Sequence, residues 1–270
     1  MDAISQDSLH WQAIDRDAGA ASTYLDLVTR LLDTMKGRVT AKLDLREGAS
    51  VLEVGCGNGR EAERLARLVG PTGHVVATDL SAELIQEARS RTAPLGLPIQ
   101  FEMADAQRLG YPARTFDAAR VERMLQHVAD PCRAVRELIR VVKPGGCVCA
   151  SEPDWGTMAI SGGDTRVANA LTRYKSEIRI THGDIGRRLP GLFIAAGCSE
   201  LSVEPVSLGL RDLAQADAVL GLAECLRGAV AEGWASQGDA DRWWEAAEDR
   251  DSAGSFLAMM TGVIVAACVP

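Results

Sequence analysis

The stretch Glu53-Val54-Gly55-Cys56-Gly57-Asn58-Gly59-Arg60 joins a short apolar run to a segment of helical pattern. Alternate glycines let the chain turn tightly and let a ligand lie against bare backbone, while the start of the helix beyond offers unpaired N–H groups and partial positive charge. A carboxylate or a phosphate suits that place. Asp79, twenty residues beyond Gly59, ends the next apolar run, where a carboxylate can accept both hydroxyls of a ribose. Glycine loop and distal acid together point to a nucleoside-containing cofactor. Two such cofactors compete. A dinucleotide loop reads G-x-G-x-x-G, whereas this one reads G-x-G-x-G and has Glu53 two residues before its first glycine, where a pyrophosphate would meet an unfavourable carboxylate. S-adenosylmethionine has no phosphate and carries an ammonium and a sulfonium, so it is the better match to the acidic neighbour.

The elements that must hold these residues alternate. A helical segment covers about residues 20–37, with Leu25, Val28, Leu32 and Met35 on one stripe and Gly37 as its stop. Val51 to Gly55 reads as a buried parallel strand and Arg60 to Val69 as a helix with Leu65, Leu68 and Val69 inward. His74 to Asp79 is the next strand; Ser81 caps a helix from Ala82 to Thr92. Strands follow at Ile99 to Ala104 and Phe116 to Val121. Asp130 then caps a helix with Pro131 at its first position and Val135, Leu138, Ile139 and Val142 inward. Lys143-Pro144-Gly145-Gly146 ends it, and Cys147 to Ala150 is a further strand. Strands separated by helices of this length demand right-handed crossovers and a parallel sheet covered on both faces. After Ser151 the chain reads as mostly helical to about Gly197, with Val167, Leu171, Tyr174 and Ile178 on one face. Leu201 to Leu208 is strand-like, Asp212 to Glu248 helical, and Phe256 to Cys268 a closing strand. The expectation is one domain over 1–270: a core at about 45–155 and helical caps at about 155–198 and 210–250.

Charge narrows the partners. A net charge of −8 at pH 7 leaves no footprint for nucleic acid or an anionic membrane, and the Arg179 to Arg188 stretch is interrupted by Asp184 and Gly186. The start of the chain has no basic and apolar leader, and the apolar stretch from Phe256 to Val269 is short for a membrane span, so a cytoplasmic location without an anchor is expected. The seven cysteines are scattered, as suits reduced thiols in a packed interior, and no metal site is expected.

Five blocks stand in order: VLEVGCGNG at Val51 to Gly59, VVATDLS at Val75 to Ser81, Ala104-Asp105-Ala106 followed by Thr115-Phe116-Asp117, Met124-Leu125-Gln126-His127, and VVKPGG at Val141 to Gly146. Residues 45–155 thereby resemble the class I S-adenosylmethionine-dependent methyltransferases, most closely the type 11 group related to ubiquinone and menaquinone biosynthesis methyltransferases; beyond Glu152 the resemblance, to bacterial small-molecule enzymes, is looser. It implies a Rossmann-like, doubly wound α/β fold with strand order 3-2-1-4-5-7-6 and the last strand antiparallel. It implies that Gly55, Gly57 and Gly59 approach the aminocarboxypropyl arm, Asp79 holds the ribose, Leu80 packs on adenine and Asp105 bonds the adenine amino group beside Ala106. Glu53 and Glu122 complete the cofactor set.

Methyl transfer from a sulfonium is an in-line displacement, so the protein must position the accepting atom, exclude water and, where needed, take a proton. His127, Glu152 and His182 are the candidate bases, each with a plainer role open to it as pocket lining, cap or loop residue. Asp154 could meet a cationic acceptor or form a turn, and Trp11 and Trp155 could wall an aromatic one, whereas Trp243 and Trp244 suit packing of the distal helices. The expected partner is a small organic acceptor, secondary metabolite or quinone-like, methylated at O, N or C, with S-adenosylhomocysteine as product; a homodimer is allowed. Two other readings stay open: a nicotinamide-dependent oxidoreductase, and a non-methylating cyclase or binding protein on the same fold.

Overall fold

The computed structural model describes residues 18–270. Helices α1 (Ala18–Leu31) and α2 (Asp33–Lys42) precede the alternating core of β1 (Ser50–Val54), α3 (Arg60–Val69), β2 (His74–Asp79), α4 (Ala82–Thr92), β3 (Ile99–Met103), β4 (Phe116–Glu122), α5 (Pro131–Val141) and β5 (Val142–Ile160). Then come α6 (Thr165–Tyr174), α7 (Ile185–Ala195), β6 (Leu201–Leu210), α8 (Leu213–Leu220), α9 (Leu222–Ala231), α10 (Gln237–Ser252) and β7 (Ala258–Cys268). The seven strands form one sheet in the order β3-β2-β1-β4-β5-β7-β6. The pairs β1–β2, β1–β4, β2–β3 and β4–β5 are parallel. Strand β7 runs the other way: Ser161 N–H donates to Leu257 at one end of its pairing with β5, and Gly145 N–H to Val269 at the other. The expected order and the reversed last strand are both present.

Two compact units make up the chain. The first contains the residues up to Glu152, Arg188–Glu204 and Ile264–Pro270; the second contains Pro153–Arg187 and Pro205–Val263. In the first unit the strands are buried on both faces, as parallel strands under crossover helices must be: Val51, Leu52, Val75, Ala77, Ala119 and Val121 are wholly inaccessible. Local capping chemistry fixes where helices begin. The Ser81 hydroxyl accepts from Leu84 N–H at 3.2 Å, and Asp130 accepts from Arg133 N–H at 3.0 Å with Pro131 at the first position of α5. In the second unit α6 and α9 approach so closely that a Cβ on Gly228 would fall inside the Tyr174 ring, and Trp243 fills the space over Gly162. Arg173 stacks 4.1 Å from the Trp234 ring centroid, and Lys175 lies 4.5 Å from that of Trp155.

Several expectations are corrected. Gly37 does not end a helix: the break comes at Leu32, and α2 runs on through Gly37 because Lys36, Val39 and Thr40 are buried, packing that outweighs glycine's low helix propensity. Leu68 points out, half exposed, while α3 buries Ala62, Leu65, Ala66 and Val69 instead. Val142 opens β5 rather than closing the inward face of α5, and β5 continues to Ile160, well beyond Ala150. The stripe on α6 holds for Val167 and Leu171 but not for Ile178, which is 51% exposed. Lys175–Arg179 forms a π-helical turn, and the extra residue in that turn shifts the helical phase. The helical stretch after Asp212 is three helices rather than one. Trp11 lies outside the described residues. No helix among the described residues is long and apolar enough to cross a membrane.

Candidate functional site

The first unit builds the glycine loop at the C-terminal end of β1. Gly55, Gly57 and Gly59 have φ of 76°, 52° and 75°, a left-handed conformation that disfavours a side chain. Thr78 O receives both Gly55 N–H at 2.8 Å and Cys56 N–H at 2.9 Å, which clamps the loop to the end of β2. The three glycines serve different ends. A Cβ on Gly55 would fall 2.7 Å from Met124 Cγ, and one on Gly59 2.8 Å from both Ala88 Cβ and the Phe101 ring, whereas Gly57 meets only the flexible Leu25 side chain at 3.0 Å. Gly55 therefore admits the turn after β4, Gly59 admits α4 and β3, and Gly57 leaves its backbone the least obstructed by protein.

Asp79 ends β2 beside this loop. Its Oδ2 accepts Gly57 N–H at 2.8 Å and its Oδ1 accepts Ser81 N–H at 3.0 Å, so the carboxylate is oriented at the mouth of the loop. Leu80, the next residue, is 41% exposed and offers an apolar platform there. Asp105 lies just beyond β3, whose Met103 pairs with Asp79; it accepts Gln107 N–H at 2.8 Å, with Ala106 buried beside it. From α1, Asp26 accepts from Asn58 Nδ2 at 3.0 Å and Arg60 NH2 at 2.6 Å, tying that helix to the loop; the Arg60 bond holds its carboxyl below the usual range.

Glu152 shapes the turn after β4. Its Oε1 accepts Met124 N–H at 2.9 Å and Leu125 N–H at 2.7 Å. Burial pushes its carboxyl up to about 8 despite those two amides. Arg123 in the same turn adopts φ 55°, its N–H donates to Ser151 O at 2.9 Å, and its guanidinium donates to the Tyr24 hydroxyl beneath it. His127 follows, its N–H donating to Met124 O at 2.9 Å. His182 belongs to the second unit, where its carbonyl accepts Ile185 N–H at 3.1 Å. Asp154 in that unit forms a two-point ion pair with Arg187, and Trp155 is buried.

Glu53 and Glu122 are in a buried cluster that composition alone does not reveal. Arg120 is wholly buried on β4 in register with Glu53 on β1. Its NH1 reaches Glu61 Oε2 at 2.9 Å, its NH2 pairs with Glu122, and Lys36 Nζ from α2 lies 2.8 Å from Glu122 Oε1. Burial opposes ionisation of Glu122, yet the two cations prevail and hold it at about 2. For Glu53 burial prevails and pushes it up to about 8. Sequence reasoning missed Tyr24, Asp26, Lys36, Glu61 and Arg120 because their partners come from distant elements; a Lys or Arg inside an otherwise apolar stretch, as at Arg120, is the signal that could have drawn attention.

Comparison with known proteins bears on this geometry. Residues 51–146 match the model of a methyltransferase domain. The chain is 37% identical over 247 residues to an uncharacterized 37.1 kDa protein in transposon TN4556 of Streptomyces fradiae, a match covering 91% of this chain and 70% of that one. The chain belongs to the class I S-adenosylmethionine-dependent methyltransferases of the type 11 group. A ubiquinone/menaquinone biosynthesis C-methyltransferase of Hahella chejuensis is 38% identical over 107 residues, 39% of this chain and 43% of that enzyme. In fold, the chain is similar to the YcgJ protein of Bacillus subtilis, with a TM-score of 0.61 at 18% identity over 88% of this chain and 97% of that one. The cofactor of this methyltransferase is S-adenosylmethionine, which sets aside the nicotinamide alternative.

Proposed function

We propose that this methyltransferase acts on a small organic molecule, at an oxygen, nitrogen or carbon atom, and that the loop from Gly55 to Gly59 with Asp79 is where it holds its cofactor. The observation that carries the reading is the meeting of three left-handed glycines, the start of α3 and the Asp79 carboxylate at one end of β1 and β2. The residues fit the cofactor in chemistry: a backbone met only by the flexible Leu25 side chain at Gly57, an acid for the ribose, an exposed apolar platform at Leu80, and Asp105 with Ala106 for adenine. Glu53 offers a carboxyl two residues before the loop to the cationic end. Once bound, S-adenosylmethionine would supply an electrophilic methyl on sulfur, to which the accepting atom would give an electron pair while the carbon–sulfur bonding pair passed to sulfur.

The protein's own tasks are orientation, exclusion of water and disposal of a proton. Glu152 works by accepting the Met124 and Leu125 amides and so fixing the turn that carries His127. His127 is the residue assigned to take the acceptor's proton, because imidazole titrates near neutrality and the turn follows β4 directly beside the loop. His182, in the second unit, is the next candidate. The net charge of −8 supports a small-molecule acceptor over nucleic acid and a cytoplasmic setting over a membrane surface. The quinone-like or secondary-metabolite classes are the first to test. Incubation with methyl-labelled cofactor and a panel of such acceptors, read by product mass, should show one added methyl on at least one acceptor with equal S-adenosylhomocysteine. A chain that binds the cofactor and methylates nothing across a broad panel would instead favour a cyclase or binding role.

A further inference from the structure

In the first unit the closing strand meets the start of β5 across a glycine bulge. Gly145 N–H donates to Val269 O at 2.8 Å and Val269 N–H donates to Gly146 O at 2.8 Å, with Gly145 at φ 78°, so two residues of one strand oppose Val269 on the other. The next position along places Cys147 directly opposite Cys268. Hydrogen-bonded pairs alternate with non-hydrogen-bonded ones in an antiparallel ladder, and since Val269 is bonded to Gly146, the two cysteines form a non-hydrogen-bonded pair. Such pairs set their Cα atoms about 4.5 Å apart with both side chains on one face, inside the roughly 4.4 to 6.8 Å that a disulfide spans. Both thiols are free. Cys268 is exposed, whereas Cys147 is half-buried with its Sγ 3.2 Å from Lys42 O at the end of α2.

We propose that Cys147 and Cys268 are a disulfide site, closed by a hydroperoxide, that staples the chain around the second unit. Exposure makes Cys268 the thiol that the oxidant reaches; burial, reinforced by Cys268 and Asp44, pushes the Cys147 thiol up to about 11 and keeps it protonated. The Cys268 sulfur attacks the outer peroxide oxygen, the O–O bond breaks, and an alcohol or water leaves with the Cys268 proton taken into account, giving a sulfenic acid. Cys147 then attacks that sulfur as its own proton departs, the S–O bond breaks and water leaves. Two thiols and one hydroperoxide become one disulfide, one alcohol and one water, two electrons passing from sulfur to peroxide oxygen. Every residue of the second unit lies in the chain between the two cysteines, so the bond restricts the unfolded chain across that whole unit and the oxidised protein resists unfolding more than the reduced one. Cys198, buried just after α7 and close enough to Cys268 for their charges to interact, is the rival partner.

The full chain, reduced and then freed of reductant, is treated with hydrogen peroxide and read by intact mass and by peptide mapping without reduction. The mass should fall by two hydrogens, two of the seven thiols should be consumed, a linked Cys147–Cys268 peptide should appear, and dithiothreitol should reverse all three. The urea midpoint should rise on oxidation and return on reduction. Cys147→Ser should leave Cys268 as a sulfenic acid that dimedone traps, and the mapping of the unaltered chain stands if that variant fails to fold. Linkage of Cys268 to Cys198, dimers joined through Cys268, oxidation of Cys268 to a sulfinic acid with Cys147 still free, or an unchanged urea midpoint in the linked protein would each overturn the proposal.

Discussion

Gly59 and Gly96 form a natural pair for dissecting the loop. Both are left-handed, with φ of 75° and 60°, so an alanine at either carries a similar backbone penalty of about 1 kcal/mol. Their surroundings differ. Nothing lies within 4 Å of a Cβ at Gly96, whereas one at Gly59 would sit 2.8 Å from both Ala88 Cβ and Phe101 Cε1. Neither neighbour is the far end of a flexible chain, since Ala88 is fixed in α4 and Phe101 is buried in β3, so α4 must shift or Phe101 must leave its rotamer. Overpacking of that kind adds about 1 to 3 kcal/mol. Gly96→Ala should therefore lose about 1 kcal/mol in urea unfolding and keep its affinity for S-adenosylhomocysteine, while Gly59→Ala should lose about 2 to 4 kcal/mol and bind less well. Equal losses in the two variants would show that backbone conformation alone explains Gly59 and that the close approach of α4 and β3 is not a constraint.

Glu152→Ala strands the Met124 and Leu125 amides and should cost about 2 to 5 kcal/mol by thermal or urea unfolding, whereas Glu152→Gln keeps an accepting oxygen and should cost much less; equal costs would deny the carboxyl its role in that turn. Stability of the cofactor-free protein should depend on pH in two opposed ways. Glu53, at about 8 when folded against an ordinary 4.5, contributes stability that is present below about pH 4.5 and is lost as pH rises toward 8. Glu122, at about 2, contributes stability present above about pH 4.5 and lost as pH falls toward 2. Urea midpoints should accordingly fall from pH 5 to 8, less steeply in Glu53→Gln, and the same slope in both proteins would contradict the burial argument. Once an acceptor is in hand, His127→Ala should lower turnover by about 10² to 10⁴-fold with cofactor affinity nearly intact, and a variant with normal turnover and an unchanged pH profile would remove His127 as the base.

Features set by a few consecutive residues were open to sequence reasoning. The glycine alternation, the Ser81 cap and the Asp130-Pro131 start are local chemistry, and each appears where its residues stand. The strand order was reached through the resemblance carried by five short blocks, which is why it held for the whole sheet. Features set by distant partners were hidden. By sequence alone the strand stops at Ala150, with Glu152 and Asp154 beyond it, yet β5 continues because β7, a hundred residues later, pairs with it: Thr261 N–H donates to the Thr157 hydroxyl at 2.8 Å. The same holds at the site. Asp79 was visible from its spacing to the glycines, but nothing near Glu53 in the chain discloses that Lys36, Glu61, Arg120 and Glu122 surround it. Glu122 was grouped with the cofactor residues by resemblance, and the structure turns its carboxylate toward Lys36 and Arg120.

The binding site itself is tested most directly by parallel calorimetric titrations of the folded protein with S-adenosylhomocysteine and with NADH, repeated on Asp79→Ala. One S-adenosylhomocysteine per chain is expected, with no saturable heat from NADH. The Asp79→Ala variant should bind more weakly by about 1.5 to 3 kcal/mol for each charge-assisted bond lost, either to the ligand or to Gly57 in the loop. Saturable binding of NADH without binding of S-adenosylhomocysteine, or unchanged affinity in a folded Asp79→Ala, would contradict the assignment of this loop and this carboxylate to the methyl donor.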